Sequence, residues 1–181
     1  MLPFSFINQT ETKFFYYIVM IQAYTETDFK AYLSTEDNRI NTSVDKTQIR
    51  HLVKFINDMD GSIDYVYPIE THNLMTDRYT EMGFYYFSSP DFYGGQVNLL
   101  PSGYWKYEVY EVSWIGTVTI DKLHAPETED DVLSPAANDK GVVQGLVTKG
   151  KMYVAEKDGT EQVQYTQHPE PSGTNYIYYG Q

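Results

Sequence analysis

The stretch from Leu99 to Ile120, LLPSGYWKYEVYEVSWIGTVTI, decides the fold. From Tyr104 to Trp114 nearly every residue is aromatic, β-branched or charged, a composition that suits a pleated, half-buried surface and not a helix. Alternation then gives the strand two faces. Trp105, Tyr107 and Val109 point toward a core, and Tyr104, Lys106, Glu108 and Tyr110 point away from it. Each large side chain buried on the first face contributes about 1.5–3 kcal/mol. Pro101, Ser102 and Gly103 form a turn that starts the strand sharply.

Working outward, further strands follow at turn-bounded intervals. Phe29 to Leu33 is short enough for one strand, and Ser34 to Lys46 (STEDNRINTSVDK) is a polar loop. Gln48 to Ile56 (QIRHLVKFI) alternates Ile49, His51, Val53 and Phe55 against Arg50, Leu52, Lys54 and Ile56. The turn Asn57-Asp58-Met59-Asp60-Gly61 sends the chain back through Ser62 to Ile69, which predicts a hairpin. Glu70 to Met75 reads as a loop. Arg78 to Phe87 is a strand with Thr80, Met82, Phe84 and Tyr86 inward, and Phe92 to Leu99 is expected to run back beside it with a bulge at Gly94-Gly95. Asp121 to Lys140 shows no apolar period and reads as a surface loop. Gly141 to Ala155 is expected to close the sheet as a last strand pair, with Asp158-Gly159 turning into a short return at Gln162 to Tyr165.

The pattern of the opening stretch, a leucine, a turn, a glycine and then alternating aromatics, resembles the sixth strand of immunoglobulin-like sandwiches. Trp105 stands in the place of the corner tyrosine and Tyr107 in the place of the second cysteine. The resulting expectation is an all-β, immunoglobulin-like antiparallel β-sandwich with extended N- and C-terminal arms. Its divisions are an N-terminal arm or added strand over residues 1–24, a sandwich over 25–167 and an extended C-terminal arm over 168–181.

Composition limits the function. The chain has 25 acidic and 13 basic residues and a formal charge of -12, so its summed field repels nucleic acid and anionic membranes. With no cysteine it has no disulfide, thiolate metal site or cysteine nucleophile, which suits either a reducing cytoplasm or an assembly made inside one. The apolar run Phe14 to Ile21 (FFYYIVMI) follows Glu11 and a single Lys13, so the basic leader of a secretory signal is missing. It is also much shorter than the ~20 residues of a membrane span.

Catalytic and metal sites find little to build on. Glu127, Glu129, Asp130 and Asp131 are hard-cation ligand types, but their spacing does not match an EF-hand loop, and a solvated acidic loop is expected instead. His51, His72, His124 and His168 share no spacing, and His51 is expected to sit satisfied within its strand. Ser102 and Ser113 lack a nucleophile-elbow context. The expectation is a protein without enzymatic activity, cofactor or metal.

Aromatic enrichment points to binding. Aromatics make up 16% of the chain, 18 of them tyrosines, and exposed ones stack on partner surfaces or on sugar rings. A carbohydrate-binding or receptor-adhesion module using Tyr104 and Trp114 is therefore the alternative function. From His168 the sequence HPEPSGTNYIYYGQ cannot build its own core. Tyr176, Ile177, Tyr178 and Tyr179 are read as anchors on a partner, held extended by Pro169 and Pro171.

The segments Arg50 to Tyr65 (RHLVKFINDMDGSIDY), Leu100 to Trp114 (LPSGYWKYEVYEVSW) and Gly145 to Val154 (GLVTKGKMYV) together resemble, in order, small structural proteins of tailed bacteriophages. The resemblance implies a virion component made in the host bacterial cytoplasm and present in many symmetric copies. It implies self-association and contact with other virion proteins of the capsid, the portal or connector, or the tail. Direct nucleic-acid and membrane contacts are not expected.

Overall fold

The computed structural model describes residues 20–70, 79–114, 119–131 and 141–158. Among the described residues there are nine strands: β1 (Ile21–Tyr24), β2 (Phe29–Leu33), β3 (Ile49–Asn57), β4 (Ile63–Val66), β5 (Ile69–Glu70), β6 (Thr80–Tyr86), β7 (Gln96–Val97), β8 (Gly103–Ser113) and β9 (Val142–Ala155). Within the opening stretch Gly103–Ser113 forms β8, flanked by β3 and β9 at the centre of a sheet ordered β1-β9-β8-β3-β4. A second sheet runs β2-β6-β5, with β7 also on β6.

The two sheets pack face to face around one core. Val53, Phe55, Val66, Trp105, Tyr107, Val109, Met152 and Val154 from the first meet Ala31, Leu33, Met82 and Phe84 from the second. Phe29, Phe55 and Phe84 form the aromatic contact across it, with ring centroids 4.8 to 6.5 Å apart. The inward set expected on β8 is buried, as are Thr80, Met82 and Phe84 of β6, whereas Tyr86 is half-buried and Glu81, expected outward, is buried. In the variable-type immunoglobulin scheme, β2, β3, β4, β5, β6, β8 and β9 take the places of B, C, C′, D, E, F and G. The chain is an all-β sandwich.

Several local expectations are corrected. Two pairs are parallel, β1 with β9 and β6 with β7. Ile21–Tyr24 runs along the C-terminal end of β9 of the same chain, with Ile21 and Ala23 in the core. Phe92 to Leu99 does not run back as a strand, because the Asp91 carboxylate and carbonyl accept the Tyr93 and Gly94 amides and coil the chain through a second reversal. Only Gln96–Val97 pairs, in the same direction as β6.

Gly141 to Ala155 is not a strand pair. Val142–Ala155 is one strand of 14 residues. Against β8 its register advances by two residues between Val109 and Tyr110 and again between Glu111 and Val112, so two bulges absorb what alternation alone reads as a break. The return at Gln162 to Tyr165 lies outside the described residues.

The segment 119–131 is not a free surface loop. Ala125 is buried with Leu52, Tyr67, Val112 and Trp114 in a second cluster, against which Tyr65, Tyr110 and Ile120 pack. The Tyr67 hydroxyl donates to the Pro126 carbonyl at 2.8 Å, and burial pushes that phenol far above its ordinary range. Leu52 and Tyr110 are paired across β3 and β8 on the outer side of the sheet, and this segment shields them there.

Candidate functional site

Among the described residues a buried polar cluster lies between the two sheets. His51 lies inward on β3 beside Ile49 and Val53, and its Nδ1 is 3.2 Å from Oε2 of Glu70 on β5, so the pair joins the two sheets. The His51 amide also donates to Glu70 Oε1 at 2.7 Å. Both side chains are buried. Burial opposes the imidazolium, but the Glu70 carboxylate 3.2 Å away, followed by those of Glu111 and Glu36, outweighs it and holds His51 above its ordinary range. Burial likewise favours the neutral acid at Glu70, and the His51 charge and hydrogen bonds outweigh it to hold that carboxyl below its ordinary range.

Glu111 occupies the next inward position of β8 after Val109. Its carboxylate accepts the Ile40 and Asn41 amides at 2.8 Å each and ties the segment between β2 and β3 to the sheet. Nearby, the buried hydroxyls of Thr35 and Thr80 are 2.6 Å apart. The cavity bounded by Thr35, Glu36, Arg39, Lys46, Ile49, His51 and Glu111 has a volume of about 10 Å³. That is room for one water and no substrate. The cluster is a structural tie.

The outer face of the five-stranded sheet carries accessible aromatic and charged side chains. Tyr104, Lys106 and Glu108 of β8 stand opposite Tyr153, Lys151 and Lys149 of β9. Tyr104 and Tyr153 pack ring to ring with centroids 5.1 Å apart, and they remain 56% and 38% exposed. Lys106 faces Lys151 directly, a like-charge pairing that costs stability on a sheet. Asp58 offsets it in part, 2.7 Å from Lys106. Tyr24 and Ile63 extend the face at its edges, both exposed. At the far end Lys54 and Tyr65 both donate to Glu129, and there segment 119–131 begins to cover the sheet.

The residues singled out in the sequence are dispersed. Tyr104 is exposed, whereas Trp114 is 0% exposed, so the two do not form a sugar platform. The strand ends at Ser113, and Trp114 turns into the second cluster beneath segment 119–131. Glu129 is taken up by Lys54 and Tyr65, which lower its pKa against the effect of burial, while Glu127 and Asp130 are exposed. Among the described residues no group of three or more side chains is placed to hold a metal ion. His124 pairs with Asp121 at 2.5 Å. The Ser113 hydroxyl accepts from Gln144 Nε2 at 2.8 Å, and Ser102 donates to Glu156 at 3.3 Å. Tyr176, Ile177, Tyr178 and Tyr179, with His72 and His168, lie outside the described residues.

Glu70 and Glu111 escaped the sequence reading. Glu111 carried a signal, since it continues the inward series Trp105, Tyr107, Val109, where a carboxylate must find hydrogen-bond donors. Glu70 carried none, because its strand is two residues long. Among the described residues no helix is long and apolar enough to cross a membrane. The chain matches no known protein family, no curated protein and no solved structure.

Proposed function

We propose that this chain is a non-enzymatic structural subunit of a tailed-phage virion, a repeated β-sandwich that assembles through the outer face of its five-stranded sheet. One observation carries the reading. The three segments that resemble phage structural proteins fold into the contiguous strands β4, β3, β8 and β9, and their outward side chains make up that face. Tyrosine is a preferred interface residue because it buries a large area with little rotamer entropy lost. On a chain of charge -12, Lys106, Lys149 and Lys151 outnumber Asp58 and Glu108 beside them, so this part of the face favours an acidic neighbour, including another copy.

In this reading the partners are further copies of the chain and other virion proteins, on the capsid surface, in the portal or connector, or in the tail. Synthesis takes place in the bacterial cytoplasm. Tyr176, Ile177, Tyr178 and Tyr179 add anchors onto a neighbouring copy, so a chain ending at Gln167 keeps its unfolding midpoint and loses incorporation. Mass spectrometry of purified, washed particles tests the reading. The chain is expected at a fixed whole-number ratio to the major structural protein, and its absence from washed particles would refute the proposal.

A further inference from the structure

We propose that the outer face of the β2-β6-β5 ladder carries a subsite for a neutral hexopyranose ring. The ladder pairs Lys30 of β2 with Gly83 of β6, and Gly83 with Ile69 of β5, so Gly83 lies at the middle of three strands. Its φ is outside the left-handed region, and a Cβ placed on it would meet nothing closer than the Ile69 carbonyl oxygen at 3.5 Å. Neither backbone conformation nor packing requires a glycine here. What the missing side chain provides is a depression of about 360 Å³ lined by Asp28, Phe29, Lys30, Gly83, Phe84 and Tyr85. A strand-interior glycine often marks a site where a ligand or another backbone approaches closely.

The lining selects between these two. In the plane of the sheet β6 is paired on both sides, with β2 on one and β5 and β7 on the other, so the open approach to Gly83 is over the outer face, where polar groups and a ring surround it. A sugar hydroxyl both donates and accepts, and the walls offer both. The Asp28 carboxylate uses Oδ1 to accept the Tyr86 amide at 2.9 Å and presents its other oxygen. The Lys30 ammonium is 2.6 Å from Glu81 and has further protons to donate. Tyr85, 44% exposed, supplies both a phenol and a ring face for the C–H side of a pyranose. The volume is at the lower end of small-molecule sites, which fits one or two sugar rings. These residues are distinct from the face assigned to assembly, so the site stands or falls independently of it.

The test is a ¹⁵N–¹H titration of the full chain with methyl β-glucopyranoside, methyl α-mannopyranoside, cellobiose and maltose. Saturable shifts in the millimolar range are expected, confined to the amides of residues 28–30 and 83–85, for at least one sugar. A response to a methyl glycoside assigns a single-ring subsite, and a response to a disaccharide alone assigns a chain-binding one. Gly83→Val, which fills the depression, and Tyr85→Ala, which removes an exposed ring, should each weaken the response at least tenfold. The second variant keeps the test valid if the first fails to fold. No saturable shift with any of the four sugars, shifts located elsewhere, or equal affinity in the Tyr85→Ala variant would overturn the proposal.

Discussion

The indole Nε1 of Trp105 donates to the carbonyl oxygen of Pro101, 3.1 Å away and four residues upstream. In immunoglobulin sandwiches a tyrosine hydroxyl at the start of the sixth strand makes the same backward bond. Here the bond joins a wider tie, because Asn57 Nδ2 reaches the same oxygen at 3.3 Å and the Asp58 amide donates to the Tyr104 carbonyl at 2.9 Å. The turn after β3 and the start of β8 are thereby fixed to one another.

Trp105→Phe removes the donor and part of the volume of a fully buried side chain. A loss of about 2–3 kcal/mol is expected from the hydrogen bond and the space left behind. Urea unfolding should show a lower midpoint with an unchanged slope.

Tyr107 stands where a half-disulfide would sit, and its bulk is accommodated by a glycine opposite. A Cβ on Gly150 would be 2.5 Å from the Tyr107 oxygen and 2.7 Å from Cζ. Gly150→Ala should therefore destabilise by about 1–3 kcal/mol. In combination with Tyr107→Leu the penalties should fall short of additivity by at least 0.5 kcal/mol in a double-mutant cycle.

The pair His51 and Glu70 makes stability depend on pH at both ends. His51 has a folded pKa above its ordinary 6.5, so its contribution is complete below that value and is lost as pH rises through the folded pKa. Glu70 has a folded pKa below its ordinary 4.5, so its contribution is complete above that value and is lost as pH falls through the folded pKa. Urea unfolding between pH 3 and pH 9 should give a maximum between the two limbs. His51→Gln should abolish the alkaline limb and cost about 3–5 kcal/mol at neutral pH, because Glu70 is left buried without its partner.

Glu129→Ala should release segment 119–131 without unfolding the sandwich. Glu129 and Lys54 are both mostly shielded, so loss of their pair and of the Tyr65 bond is worth about 1–2 kcal/mol locally. Amide exchange at Leu52 and Tyr110 should speed up by about five- to thirty-fold. Amides of Val53 and Phe55, which face the main core, should keep their protection.

The strands that alternate cleanly were legible in the sequence, because a single buried face imposes a period of two. β8, the β3-β4 hairpin and the inward side of β6 are of this kind. Elements shaped by tertiary partners were not. The two bulges of β9 exist to keep pace with β8, and β7 is held by hydrogen bonds from Tyr85 and Phe87 to Gly95 and Val97 that no local pattern announces. Segment 119–131 looks solvated because its acids dominate its composition, yet Glu129 anchors it and Ala125 fills a gap. Of the interaction chemistry, Tyr104 was visible as an outward aromatic. Its partner Tyr153 and the Lys106-Lys151 pairing needed the register of two strands some forty residues apart.

Assembly of copies through the outer face of the five-stranded sheet, as proposed, is read out by incorporation into particles. A chain carrying Tyr104→Thr and Tyr153→Thr, supplied in competition with the unmodified chain during particle formation, should lose only the exposed ring contact and so lower its urea midpoint slightly, since threonine suits an exposed strand position and adds no like-charge pair. In washed particles its abundance relative to the unmodified chain should fall at least tenfold, the scale of a lost interface anchor. Equal abundance of the two chains in washed particles would contradict the proposal.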